Sequence, residues 1–148
     1  HDQTEAMSLG DRIAVMHGGE IAQYDVPAAV YNQPANQFVG SFIGNPPMNF
    51  IADPAVQVQL GCTPPRAGLT LGVRPESLAL ADTGLGVDAK VVEMLGASQQ
   101  INTRVGDQVM RISLSAEPVI AAGARLHLQA KPGTARWYDK QGRLQLGA

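Results

Sequence analysis

The stretch Asn36 to Phe50, NQFVGSFIGNPPMNF, limits this chain more than any other, because one kind of sequence ends in it and another begins. Phe38, Val39, Phe42 and Ile43 recur at the spacing of a single helical face, and Asn36 stands where a helix takes its N-terminal cap. Gly44, Asn45 and Pro46-Pro47 then stop the helix, since proline lacks a backbone donor and turns its predecessor away from helical angles. Met48, Asn49 and Phe50 restart the chain as strand. The pattern before this joint is mixed helix and hairpin, and after it almost wholly short strands. It predicts two pieces, residues 1–44 and residues 45–148.

The 148 residues leave room for one ordinary domain, or a small domain with an appendage. At 45% hydrophobic and 16% charged residues the chain has the composition of a globular protein. A net charge of -2 supplies no electrostatic footprint for nucleic acid or an anionic membrane surface. No apolar run approaches the ~20 residues of a membrane helix. Cys62 is the only cysteine, which fits a reducing compartment. The opening at His1, without methionine, predicts a cut fragment.

In the first piece, Asp2 and Glu5 have capping-box spacing and predict a helix ending at Gly10. Arg12–His17 and Glu20–Tyr24 are strand-like runs joined by Gly18-Gly19, a hairpin signal. Pro27–Gln33 reads as a short helix ended by Pro34. A hairpin with short helices cannot cover its own apolar side chains. Something must therefore cover Ile13, Val15, Ile21, Phe38, Phe42 and Ile43, and a homodimer with exchanged N-terminal segments is the expected solution.

In the second piece apolar residues alternate. Val56, Val58 and Leu60 share a face, as do Leu69, Leu71 and Val73, then Val87, Ala89 and Val91, then Met110, Ile112 and Leu114, then Leu126, Leu128 and Ala130. Gly106-Asp107 fits a type II′ hairpin turn, while Asp82–Gly86 reads as a turn-rich connection. This is a mainly β pattern, a sandwich or a barrel, of a size that suits the five-stranded oligonucleotide-binding (OB) barrel.

The residues His1-Asp2-Gln3-Thr4-Glu5-Ala6-Met7, Asp11-Arg12-Ile13, Gly19-Glu20-Ile21, Tyr31-Asn32-Gln33-Pro34-Ala35-Asn36 and Phe42-Ile43-Gly44 resemble the end of an ABC-transporter ATPase subunit of the maltose and glycerol-3-phosphate importer type. Leu71-Gly72-Val73-Arg74-Pro75-Glu76, Val91-Val92-Glu93-Met94-Leu95-Gly96 and Trp137-Tyr138-Asp139 resemble landmarks of the OB-like TOBE regulatory domain that follows in that family. Asn45-Pro46-Pro47-Met48-Asn49-Phe50 leans toward the sugar importers. Val26 departs from the threonine usual before the proline, which puts a helix cap in question.

The resemblance implies residues 1–44 as an ATPase-domain remnant and residues 45–148 as a regulatory and dimerisation domain. It implies a cytoplasmic parent, peripheral on the inner face of the membrane, that binds ATP and magnesium and associates with permease subunits and a possible regulatory protein. His1 matches the switch-loop histidine, catalytic in the parent only. A G-x-x-x-x-G-K-[ST] loop is absent from all 148 residues, so neither enzymatic activity nor a cofactor is expected of this chain.

His1, His17 and His127 lie far apart without partners at ligand spacing, so no metal is expected. Arg74 and Glu76 have two readings, an ion pair at a subunit or domain interface and a solvated turn, and the turn is preferred because exposed pairs contribute only ~0–1 kcal/mol. Trp137 and Tyr138 fit either an interface anchor or the barrel core. Phe38 and Phe42 complete the interface candidates. Nucleic-acid binding is rejected on the balance of 11 basic against 13 acidic residues with few aromatics. An alternative function is capture of a small oxyanion of the molybdate type, with Gly96-Ala97-Ser98 as a candidate turn.

Overall fold

The computed structural model describes residues 11–145, so the helix expected before Gly10, and His1 with it, lie outside the described residues. The hairpin comes first, as β1 (Ile13–His17) and β2 (Glu20–Asp25). Gly18 and Gly19 have φ of 60° and 81°, so both central residues of its turn use angles that glycine adopts at least cost. Two short helices follow, α1 (Pro27–Asn32) and α2 (Gln37–Phe42). Val26 precedes α1 without a side-chain cap, and the Val26 amide donates to Asp25 Oδ1 at 2.8 Å. Asn36 caps α2 as its type predicts, its Oδ1 accepting from the Val39 amide at 2.9 Å.

Beyond the joint come β3 (Asn49–Ile51), α3 (Pro54–Gln59) and β4 (Thr70–Val73), then a 3-10 turn at Pro75–Ser77. The rest is strand: β5 (Leu78–Asp88), β6 (Val91–Leu95), β7 (Ser98–Val105), β8 (Gln108–Ser115), β9 (Arg125–Ala130) and β10 (Arg136–Tyr138). The fold is mainly β with short helices early. Two expected features are corrected at α3 and β5. The run Val56, Val58, Leu60 is helical, because Asp53 caps the segment with Oδ1 on the Ala55 amide and Pro54 occupies the first turn. Val56 and Leu60, four apart, are buried and Val58 is 57% exposed, so a five-residue alternation had hidden a helical pair. Asp82–Gly86 lies inside β5, whose ladder with β9 shifts register between Leu80 and Leu85, a bulge that reads in sequence as a turn. Val91 belongs to β6 and is 56% exposed, so it does not share the inward face of Val87 and Ala89.

Among the described residues the strands form four antiparallel sheets, β1-β2, β10-β4-β3, β5-β9 and β6-β7-β8, and no continuous ladder there closes them into the expected barrel. Polar side chains make the connections that a ladder would make. Asn49 and Arg111 exchange two hydrogen bonds of 2.9 Å between β3 and β8, and Gln108 donates to Phe50 O in the same seam. Thr103 Oγ1 donates to Asp88 O at 2.6 Å, tying β7 to β5. Buried Gln57 donates to Ile51 O and Leu69 O at 2.9 and 3.0 Å, anchoring α3 across the start of β4. Around these links one core gathers Leu71, Leu78, Ile101, Ile112, Leu128 and their neighbours. A second, smaller core joins Ile13, Val15, Val30, Val39 and Ile43. Part of the cover expected from a partner is thus supplied by α1 and α2, while Ile21 and Phe42 stay 60% and 44% exposed.

Candidate functional site: a seam closed on Arg74

At the end of β4, Gly72 faces Met48 and Tyr138 while Val73 enters the larger core, so the strand is buried on both faces and delivers Arg74 under the C-terminal ends of α1 and α2. Arg74 is only 5% exposed. Its Nη1 donates to Ile43 O at 2.6 Å and Gly40 O at 3.2 Å, and its Nη2 to Tyr31 O at 2.9 Å. The guanidinium carbon lies 4.1 Å from the centre of the Tyr31 ring. A buried cation therefore meets helix-end carbonyls and an aromatic face instead of a carboxylate, both of which favour positive charge. Burial pulls the Arg74 pKa below its ordinary value, and the neighbouring Tyr31, Glu76 and Tyr138 oppose that pull. Arg74 Nε is buried without a hydrogen-bond partner among the described residues.

These contacts differ from the solvated turn preferred from the sequence, and they run from the end of β4 to residues 31–43, where the other reading expected an interdomain ion pair. Arg74 is not part of a solvated turn, and the two do not pair. Among the described residues the ion pairs are Arg12–Asp25 and Arg125–Asp88, both exposed. Glu76 instead accepts a short hydrogen bond from the Tyr31 hydroxyl. Tyr31 is thus held three ways, by its ring, its hydroxyl and its carbonyl. Gly44 leaves the space this needs: its φ is 109°, and a Cβ there would stand 2.7 Å from Arg74 Nη1.

Tyr138 closes the far side of the seam. It is fully buried, donates from its hydroxyl to Pro34 O at 2.9 Å and meets the Phe50 ring edge-on at 5.4 Å between centres. Gly72 admits that pair, since a Cβ on it would lie 2.8 Å from both Tyr138 Cε2 and Met48 Sδ. Arg136 Nε donates to Asn32 O at 2.8 Å, and the backbone adds Gln37 N to Gly142 O and Leu144 N to Ala35 O at 2.8 and 2.9 Å. Trp137 is 7% exposed and packs in the larger core. Trp137 and Tyr138 are therefore core and seam residues and not exposed anchors. Phe38 is half-buried and stacks between His17 and Phe42, with ring centres 3.7 and 5.5 Å apart.

Half-buried Tyr31 and fully buried Tyr138 both resist ionisation. Burial first, then the hydrogen bond to Glu76 and its charge, push Tyr31 up to about 12, and burial pushes Tyr138 up to about 12. An acid whose pKa is higher folded than unfolded contributes stability that is present below the unfolded value, about 10, and is lost as pH climbs through the folded one. Stability is expected to fall between pH 10 and about 12, which urea titrations across that range will measure. Tyr31→Phe and Tyr138→Phe together should flatten the fall. An equal slope in that double variant would show that the two hydroxyls are not its source.

The other candidates assemble less. Gly96-Ala97 is the two-residue turn of the β6–β7 hairpin, with Ala97 O accepting the Ala116 amide at 3.0 Å. A cleft of about 300 Å³ lies over Leu78, Leu80 and Leu114, with Glu117 and Lys131 of opposite charge in its lining. Its buried polar group, Gln99, is already committed to Ser115 O, Pro118 O and the Ile120 amide. His127 points outward on β9, away from Leu126 and Leu128. Among the described residues no three His, Cys, Asp or Glu side chains stand close enough to share a metal ion, and no helix is long and apolar enough to cross a membrane. The residues present do not fit ATP with magnesium: a phosphate-cradling G-x-x-x-x-G-K-[ST] loop is missing, and no such acidic grouping exists among the described residues.

Residues 71–137, from the middle of β4 into β10, match the TOBE domain family. The glycerol-3-phosphate import ATP-binding protein UgpC of Vibrio vulnificus is 38% identical over 164 aligned positions, covering 95% of this chain and 43% of that protein. UgpC of Yersinia pestis is 35% identical, covering 99% of this chain and 46% of its own length. The chain is homologous to the C-terminal region of UgpC-type ABC-transporter ATP-binding proteins. An uncharacterized ABC transporter ATP-binding protein of Sinorhizobium fredii, y4oS, is 34% identical over 94% of the chain and 42% of its own length. The chain thus spans less than half the length of these relatives. Arg74 lies near the start of the TOBE match and Tyr138 one residue past its end, and both donate hydrogen bonds to the chain that precedes the match. The L-G-x-R-P-E motif reads locally as a turn, because the carbonyls that Arg74 serves lie 31 to 43 positions upstream.

Proposed function

We propose that the chain is the regulatory and dimerisation part of the ATP-binding subunit of an ABC importer for sugars or glycerol-3-phosphate. Residues 45–148 form the regulatory domain, and residues 1–44 are the trailing end of the ATPase domain. The observation that carries the reading is the near-complete alignment of this chain with UgpC-type proteins, together with the TOBE match. The chain by itself does not hydrolyse ATP. ATP, magnesium and the switch-loop role of His1 belong to the parent, which works at the cytoplasmic face of the membrane with permease subunits and, in some relatives, a regulatory protein.

Dimerisation has a physical support of its own. Strand β6 is the edge of its sheet, and Val91, Met94 and Leu95 on it are 56%, 48% and 45% exposed. An apolar edge with unpaired backbone groups favours pairing with another chain. Light scattering coupled to size-exclusion chromatography is expected to give a dimer mass for the 148-residue chain, and Met94→Lys should weaken it. A monomer mass at crystallisation-like concentration would remove the dimerisation half of this reading. The alternative, a small-oxyanion module, is separated by calorimetry with molybdate, tungstate, phosphate and sulfate, for which no heat of binding is expected.

A further inference from the structure

The sequence places its break at Gly44–Pro47, yet the contacts place it elsewhere. On its downstream side the segment 31–44 is held by charged and backbone hydrogen bonds. Arg74 grips Tyr31, Gly40 and Ile43, Arg136 takes Asn32, Tyr138 takes Pro34, and the 142–144 strand end pairs with Ala35 and Gln37. Gly40 packs so closely that an added Cβ would meet Phe50 Cζ at 2.8 Å, and Gly40 O also accepts the Met48 amide at 3.2 Å. On its upstream side the hairpin is tied to it, among the described residues, by the small core, the His17–Phe38 stack, and Gln23, which accepts from the Ala35 amide at 2.9 Å and donates to Gln33 O at 3.2 Å.

We infer that residues 31–44 move with the TOBE domain as one rigid unit, and that flexing between it and the hairpin is taken up at Asp25–Pro27. The proline-rich joint is inside the unit and is not the hinge. Hydrogen bonds to a charged group are stronger than neutral ones and are lost together when Arg74 leaves, whereas the small apolar core can shear and the polar ties beside it are the two neutral hydrogen bonds of Gln23. The consequence for the parent rests on the function proposed above: motion of the ATPase domain reaches the regulatory domain through the hairpin's contact with α1 and α2. The unit boundary itself does not depend on that function.

Native-state hydrogen exchange on the full 148-residue chain tests the boundary. The amides of Gln37, Gly40, Ile43 and Met48 are expected to open in the same slow class as β4, with those of β1 and β2 opening faster. Arg74→Lys, which keeps charge but loses the three-pronged reach, should speed exchange of the 37–43 amides roughly tenfold or more while leaving β6–β8 unchanged. Opening of 37–43 together with the hairpin would overturn the inference. So would a single opening class for the whole chain, because no flexing would then lie at Asp25–Pro27. A monomer in light scattering, by contrast, bears on the dimerisation reading alone.

Discussion

Replacing Arg74 with methionine is expected to lower the unfolding free energy by about 3 kcal/mol, since each buried carbonyl left without its donor costs roughly 1–3 kcal/mol. Methionine keeps much of the length and the apolar stem, so the loss reports the guanidinium and not a large cavity. Tyr31 O and Ile43 O lose their Arg74 donor, while Gly40 O keeps the Met48 amide. In a domain of this size the melting temperature should drop by about 10 °C. Arg74→Lys is expected to fall between the two, because a single ammonium cannot span helix ends that the planar fork reaches together. Urea unfolding followed by circular dichroism measures both. An unchanged midpoint for Arg74→Met would mean that water already serves these carbonyls and that the seam does not depend on arginine.

The second large effect is expected from Gly84→Ala on β5. Gly84 has φ of 133°, a conformation that essentially only glycine adopts, and its Cβ would stand 2.3 Å from Leu128 O of the partner strand. The obstacle is backbone, so relief requires β5 and β9 to part at the bulge that sets their register. Backbone strain and overpacking of about 1–3 kcal/mol each put the loss at about 3 kcal/mol. Gly86→Ala, two positions on, is the control. Its Cβ would meet only the guanidinium end of Arg125, which can swing aside, so its cost should be about 1 kcal/mol at most. Equal losses at the two positions would argue against the bulge as the source.

The two glycines also show what a sequence conceals. Both flank Leu85 in a run that reads as a loop, and only the pairing of β5 with β9 makes one a backbone necessity and the other a matter of side-chain room. The same holds for the polar residues Asn49, Gln57, Gln99 and Thr103. They are unremarkable in the alternating pattern, yet they are buried: Asn49 and Thr103 supply bonds between sheets that the ladders do not, Gln57 ties α3 to the chain around β3 and β4, and Gln99 holds the 118–120 loop. A reading based on apolar period places strands in a row and expects ladders to close them. Here the Asn49 amide and the Thr103 hydroxyl link sheets that no ladder joins, and that choice depends on neighbours far away in the chain.

By itself the sequence determined whatever is decided within a few residues: the Gly18-Gly19 turn, the Asn36 cap, the inward faces of β4, β8 and β9, and the break in pattern at Gly44–Pro47. Its motifs also carried the family resemblance that the TOBE match and the UgpC relatives bear out. Only the tertiary structure decided what Arg74 does. An arginine before Pro-Glu at a strand end is locally indistinguishable from a solvated turn, and it becomes a buried clamp because α1 and α2 end above it with carbonyls that their own helices cannot satisfy. The rigid unit inferred above rests on the same physics: chain direction breaks where local angles break, whereas a rigid unit is held together by buried hydrogen bonds between residues distant in sequence.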